Sequence, residues 1–274
     1  MTMRRLAAHE LRMFFIALQF LTRVPVPGWV CNGFQPAWLN RCVVHFPLVG
    51  ALVGGVGAAV LWLASLWWTP LVAALLAVAT TVWITGAFHE DGLADTFDAL
   101  GGSVPRERAL EIMKDSRIGT YGAAALGLGL TLRVALLAAV ASADLAAAAL
   151  ALVAAHALGR AAAVAVMARL PYAGDVEHAK AKPLATSVPA STATGALVAA
   201  VVLLAGIAAV AALVSPASAA GWAWRWSAAP LAAVGVVWLM CRWLRARLGG
   251  YTGDTLGATE QMTEIAVLMA LAGG

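Results

Sequence analysis

Long apolar runs alternate with short polar stretches along the whole chain. Six runs are long enough to cross about 30 Å of hydrocarbon as helices: roughly Val43 to Trp67, Leu71 to Phe88, Tyr121 to Ala141, Leu145 to Ala168, Gly195 to Val214, and Ala228 to Cys241 with its flanks. Two shorter runs, Met13 to Leu21 and Ile265 to Ala272, predict re-entrant, interfacial or short spanning segments. In lipid the backbone must satisfy its own polar groups, so spans of this kind form helices. The expected fold is an all-α polytopic integral membrane bundle of about six to eight transmembrane or re-entrant helices, built as one domain over residues 1–274.

Composition sharpens this picture. Apolar residues make up 62% of the chain and charged residues 12%, whereas a soluble domain carries roughly twice that share of charge. The N-terminus does not read as a cleaved secretory signal, because Arg4 and Arg5 are followed by His9, Glu10 and Arg12 before any apolar run begins. Cys31, Cys42 and Cys241 lack metal or redox spacing and are expected to act as small apolar residues. The net charge of +4 first reports topology, and with no soluble basic domain it gives no basis for nucleic-acid binding.

Alternating spans place Arg41, Arg106, Arg108, Lys114, Arg117, Arg169, Lys180, Lys182, Arg242, Arg245 and Arg247 on one side with the N-terminal arginines, and leave Arg225 opposite. The positive side is expected to be cytoplasmic. Every acidic residue except Asp144 falls on that side too, which the topology rule does not explain. The Trp-rich stretch Trp222 to Trp226 is expected to anchor at the far interface.

The densest polar cluster runs from Phe88 to Tyr121, at the end of the second long span. On a helix, with about 100° per residue, Asp91, Asp95 and Asp98 fall within a narrow arc. Three carboxylates on one face repel one another unless a cation sits among them, and all-oxygen ligation suits Mg²⁺ or Mn²⁺. Gly92 either lets a substrate approach the backbone or packs against a neighbouring helix. Ser103 and Pro105 mark a helix start, and the short amphipathic helix that follows is expected to lie along the membrane, with Arg106 and Arg108 toward lipid head groups. The string from Lys114 through Asp115, Arg117 and Gly119 to Gly122 offers cationic and backbone donors to phosphate oxygens.

Inside the spans lie Arg133 and, one turn apart, His156 and Arg160. Ionisable groups at such depth are functional candidates, with a buried ion pair as the plainer reading. A glycine-rich loop, Gly249 to Gly257, carries Asp254 as a further ligand or base and is followed by Glu260 and Glu264. Carboxylates for a divalent cation beside Lys and Arg for phosphates fit phosphoryl transfer. A transporter would use the intramembrane charges as a path, but the acids gather at one face rather than the midplane. A scaffold without activity of its own is the third class.

The strings HEDGLADTFDALGG, ERALEIMKDSRIGTYGAAALG and GGYTGDTLGA, with FLTRVPVP and HFPLVG upstream, resemble the adenosylcobinamide-GDP ribazoletransferase (cobalamin-5′-phosphate synthase) family, in order and over almost the whole chain. The resemblance implies a membrane-embedded, Mg²⁺-dependent transferase of the last stage of cobalamin biosynthesis. In that reaction α-ribazole or its 5′-phosphate displaces GMP from adenosylcobinamide-GDP. It implies Asp91, Asp95 and Asp98 as metal ligands, Lys114 and Asp115 near the pyrophosphate, and Asp254 as a third-loop residue. His89, Gly92, Arg117, His156 and Arg160 complete the expected substrate contacts, and Asp98, Asp115 and Asp254 are the candidate general bases. Expected partners are the two small-molecule substrates and the lipid bilayer, with a homo-oligomer allowed. Glu90 and Ala99 depart from the family pattern, which has an apolar residue and Gly at those places.

Overall fold

The computed structural model describes residues 3–174, 188–214 and 219–273; Lys180 and Lys182 lie outside them, and so do the side chains of Arg4, Arg5 and Trp222. Eleven α-helices follow one another among the described residues: α1 Met3–Leu21, α2 Ala37–Cys42, α3 Phe46–Ala64, α4 Pro70–Thr85, α5 Phe88–Leu100, α6 Arg106–Ile112, α7 Thr120–Ala143, α8 Leu145–Met167, α9 Ala190–Val214, α10 Ala219–Leu248 and α11 Gly253–Ala272. Among the described residues, five stretches are long and apolar enough to cross a membrane, and a sixth arises if α4 and α5 count as one broken span. Among the described residues, the only extended pairing is an isolated parallel bridge between Tyr172 and Tyr251. This is the expected helical membrane bundle. Large apolar side chains such as Leu63, Trp67, Trp83, Leu213 and Leu231 point outward, as a lipid-facing surface requires, and Trp224 is exposed on α10.

The centre is occupied by α8 and α11. From Ala154 to Met167 every residue of α8 is buried, an Ala-rich run that lets neighbours approach closely. Gly50 and Gly54 of α3 make the tightest approach. A methyl group on Gly54 would lie 2.6 Å from the Leu152 carbonyl oxygen, and one on Gly50 would lie 2.7 Å from Cδ of Arg160. The α7–α8 turn is fixed by Asp144, whose carboxylate accepts the Ala147 amide at 3.0 Å and caps α8.

Two elements differ from expectation. The second span does not run straight into the aspartate helix, because the chain breaks at Gly86 and Ala87, both at positive φ (69° and 58°), and α5 leaves at 88° to α4. The acidic face therefore lies crosswise to the span. The break is stabilised from both sides: Gly86 donates to Trp83 O, and the Arg23 amide donates to Ile84 O at 2.8 Å. The second difference is at the C-terminus. Ile265 to Ala272 is only the end of the 20-residue α11, and the stretch expected to be loop up to Gly257 is already helical from Gly253. Thr252 and Thr255 form a reciprocal capping box there, so Asp254 sits in the first helical turn, where its charge suits the helix dipole.

The loops on the polar side are stitched by arginines bonded to carbonyl oxygens. Arg247 donates to Leu100 O (2.9 Å) and Gly102 O (2.7 Å), while Arg106 donates to Leu248 O (2.8 Å) and Ala173 O (3.2 Å). Arg106 is thus a tether between loops rather than a lipid contact, and Arg108 pairs with Glu111 at 2.8 Å. Cys42 and Cys241 are buried as expected of small apolar residues, but Cys31 is exposed.

Candidate active site

A cavity of about 300 Å³ opens between α1, α3, α5, α6, α8 and α11. Its polar wall comes from Asp91 and Asp95 of α5, Lys114 after α6 and Asp254 of α11, with His89, Arg160 and Glu260 also reaching it. An apolar wall comes from Phe20, Leu21, Phe46, Phe88, Ala163 and Met167. Asp91 is exposed, Asp95 and Asp254 are half-buried and His89 is buried. A second, more open groove, lined by Thr22, Arg23, Thr85, Gly86 and Ala87 among others, shares Phe20, Phe88 and Asp91 with the first.

Three carboxylates expected from sequence thus meet at one cavity, though not the three grouped by helical spacing. Asp98 lies two turns beyond Asp91, past the cavity, where it faces the start of α7. Its two oxygens accept the Gly119 amide at 2.7 Å and the Gly122 amide at 2.8 Å, and Gly119 is the residue at the N-cap of α7. Asp254, from a distant part of the chain, joins Asp91 and Asp95 instead.

Other expected residues lie elsewhere. Gly92 is buried at the α5–α11 crossing, where a methyl group would lie 2.7 Å from the Asp254 carbonyl oxygen, so it serves helix packing. Asp115 and Arg117 form an exposed two-pronged pair, with Nη2 of Arg117 2.6 Å from Oδ2 of Asp115. That carboxylate raises the Arg117 pKa above its usual value, keeping it cationic. Neither residue lines the cavity, and nor does His156.

Beneath the cavity floor is an ionic lattice that spacing alone did not reveal. Arg133 of α7 pairs with Glu90 of α5 at 2.8 Å and with Glu264 of α11 at 2.8 Å, and it donates to Gln261 at 2.9 Å. Arg160 of α8 pairs with Glu260 and with Glu264 (2.7 Å), and His156 contacts Glu264. All of these ionic side chains are at most 6% exposed. Glu90, Glu260 and Glu264 are therefore not loop acids but buried counter-ions, which accounts for three of the acids that topology left unexplained. His156, Glu260 and Glu264 also have the mutual spacing of a metal triad. The Nη1 atom of Arg160 sits among those ligand atoms, 2.8 Å from His156 Nδ1 and in contact with both carboxylates, so a guanidinium supplies the positive charge there. The sequence signal was present: two arginines within spans require buried anions.

Tyr251 also lines the cavity. Burial, with Tyr172 beside it, pushes its phenol up to about 12.

The cobalamin-5-phosphate synthase family model matches residues 13–272. The chain belongs to that family. It is 53% identical to an adenosylcobinamide-GDP ribazoletransferase of Leptothrix cholodnii over 97% of each chain. Similar proteins of the same name occur in Polaromonas naphthalenivorans (43% identity, 96% of this chain and 98% of the relative) and Vibrio cholerae (36%, 98% and 96%). No solved structure matches. As a member of the synthase family the chain is a transferase of cobalamin biosynthesis, held in the membrane by several spans. The family match covers both cavity walls, from Phe20 to Glu260.

Proposed function

We propose that the chain joins α-ribazole or its 5′-phosphate to the cobinamide phosphate of adenosylcobinamide-GDP with release of GMP, at the cavity bounded by Asp91, Asp95, Lys114 and Asp254. The observation that carries this reading is that carboxylates and a lysine from three separated segments share one cavity, a donor set suited to a pyrophosphate and a hard divalent cation. Asp91 and Asp95 are the residues that would hold Mg²⁺, because Asp98 is turned to the α7 amides. Mg²⁺ binds through one or two carboxylates together with substrate phosphates, and when bound it supplies charge neutralisation at the pyrophosphate.

The rest falls to the chain itself. Lys114 and Arg160, both in the cavity lining, hold phosphate oxygens, with Arg160 braced by Glu260 and Glu264. Asp254 is the one of the three candidate bases that lines the cavity, and it takes the proton from the ribazole hydroxyl. The hydroxyl oxygen forms a bond to the cobinamide-side phosphorus as the bond from that phosphorus to the GMP oxygen breaks. Arg106, Lys114, Arg169, Arg242, Arg245 and Arg247 cluster at the cavity's end of the bundle, which supports a cytoplasmic site in the inner membrane. Purified chain in detergent, given both substrates and Mg²⁺, should release GMP in step with cobalamin formed, and chelation should stop it. Release of GMP without a ribazole acceptor, or solute movement across vesicles in place of transfer, would refute the proposal.

A further inference from the structure

The two walls of the cavity differ in chemistry, and the reaction proposed above brings two very different groups to it. On one side stand Phe20, Leu21, Phe46, Phe88, Ala163 and Met167, whose side chains offer no hydrogen-bond donor. Three of them form an aromatic group. The rings of Phe20 and Phe46 lie parallel within 6° at 6.1 Å between centroids, and Phe88 meets Phe20 edge-on at 5.5 Å. Phe46 is buried, so the group has a fixed base, while Phe20 is half-buried and Phe88 is 41% exposed. Phe20 and Phe88 also border the second groove, so they form the partition between the two spaces.

Size and polarity together select the occupant. About 300 Å³ is at the small end of ligand cavities and admits a nucleoside-sized group, whereas a corrin ring with its side-chain amides is several times larger. The guanine of the leaving GMP presents an edge of donors and acceptors, which an apolar wall would leave unpaired at a cost. The base of α-ribazole is planar and largely apolar, and an aromatic face takes such a ring by stacking. We infer that the Phe20–Phe46–Phe88 wall is the receptor for the base of the ribazole nucleoside, with the corrin ring remaining outside the enclosed space. The nucleoside then lies between that wall and Asp254, with its ribose toward the carboxylates.

This inference rests on the proposed transfer reaction, and steady-state kinetics with each substrate varied in turn tests it separately from that reaction. In the full-length detergent-purified protein, Phe20→Leu should raise KM for α-ribazole roughly tenfold, the size expected when one ring-on-base stack is lost. KM for adenosylcobinamide-GDP should stay within about twofold of its original value. Phe20→Tyr, which keeps the ring, should restore the ribazole KM. Phe88→Leu, at a more exposed position, should shift the ribazole KM in the same direction and covers the case in which Phe20→Leu fails to fold. A rise confined to the corrinoid KM, or no change in either with both variants, would overturn the assignment while leaving the transfer reaction intact. Loss of transfer in the unmodified protein would instead count against the reaction itself.

Discussion

The cavity wall and the lattice beneath it are built from the same residue types and are used in opposite ways. Asp91, Asp95 and Asp254 line a space open to ligands, whereas Glu90, Glu260 and Glu264 are each within ion-pair distance of an arginine and sealed between α5, α7, α8 and α11. The lattice is closed by ion pairs within the fold, whereas the wall faces a cavity. Arg160 and Glu260 belong to both, since they reach the cavity floor while remaining buried. Burial, rather than acidity, sets the carboxylates paired within the fold apart from Asp91, Asp95 and Asp254 at the open cavity.

The contrast can be broken first from the lattice side. Arg133→Met leaves Glu90 without its arginine and Glu264 with Arg160 and His156 alone, and breaking a buried pair costs about 3–5 kcal/mol, so the melting midpoint in detergent should fall sharply. Below that midpoint the Mg²⁺ dependence should be unchanged. Asp95→Asn should do the reverse: kcat should fall by roughly a hundredfold or more, with the melting midpoint preserved. Wild-type turnover across a Mg²⁺ titration would remove Asp95 from the proposed metal site.

Asp98→Ala separates the third aspartate from its two neighbours. Removing the acceptor of the Gly119 and Gly122 amides should lower stability by about 1–2 kcal/mol, the loss typical of a helix cap. Its Mg²⁺ requirement should match that of the unmodified protein; a higher Mg²⁺ concentration for half-maximal activity with normal stability would return Asp98 to the metal. The smallest effect belongs to Tyr251→Phe. Because the phenol's pKa is raised to about 12, the hydroxyl stays protonated below that pH, and the pH–rate profile through the neutral range should be superimposable on that of the parent.

Hydropathy made the spans legible, because a bilayer demands long apolar helices whatever their neighbours do. The elbow before α5 was not legible. Only one glycine marks it, the second left-handed residue is Ala87, and the turn is held by contacts from α1 through Arg23. Helical spacing placed Asp91, Asp95 and Asp98 on one side, but rotation about an axis says nothing of position along it, and Asp98 runs past the cavity. The lattice joins residues far apart in the chain, such as Arg133 with Glu90 and with Gln261, so no local pattern shows it. Glu90 did stand out as a departure from the family pattern, and its buried partner Arg133 is the physical reason for a charge at that place.

Gly50 and Gly54 bring the backbone of α3 directly against that of α8. At these two glycines there is nothing to trim, and any larger residue would press on the α8 backbone and on the Arg160 side chain and wedge the rods apart. The position of α8, whose Arg160, Ala163 and Met167 line the cavity, is thereby fixed from the α3 side. Changing the bulk of the nucleoside this enzyme accepts would have to proceed by remodelling other parts of the lining, such as Phe20, Leu21 and Leu110 from α1 and α6.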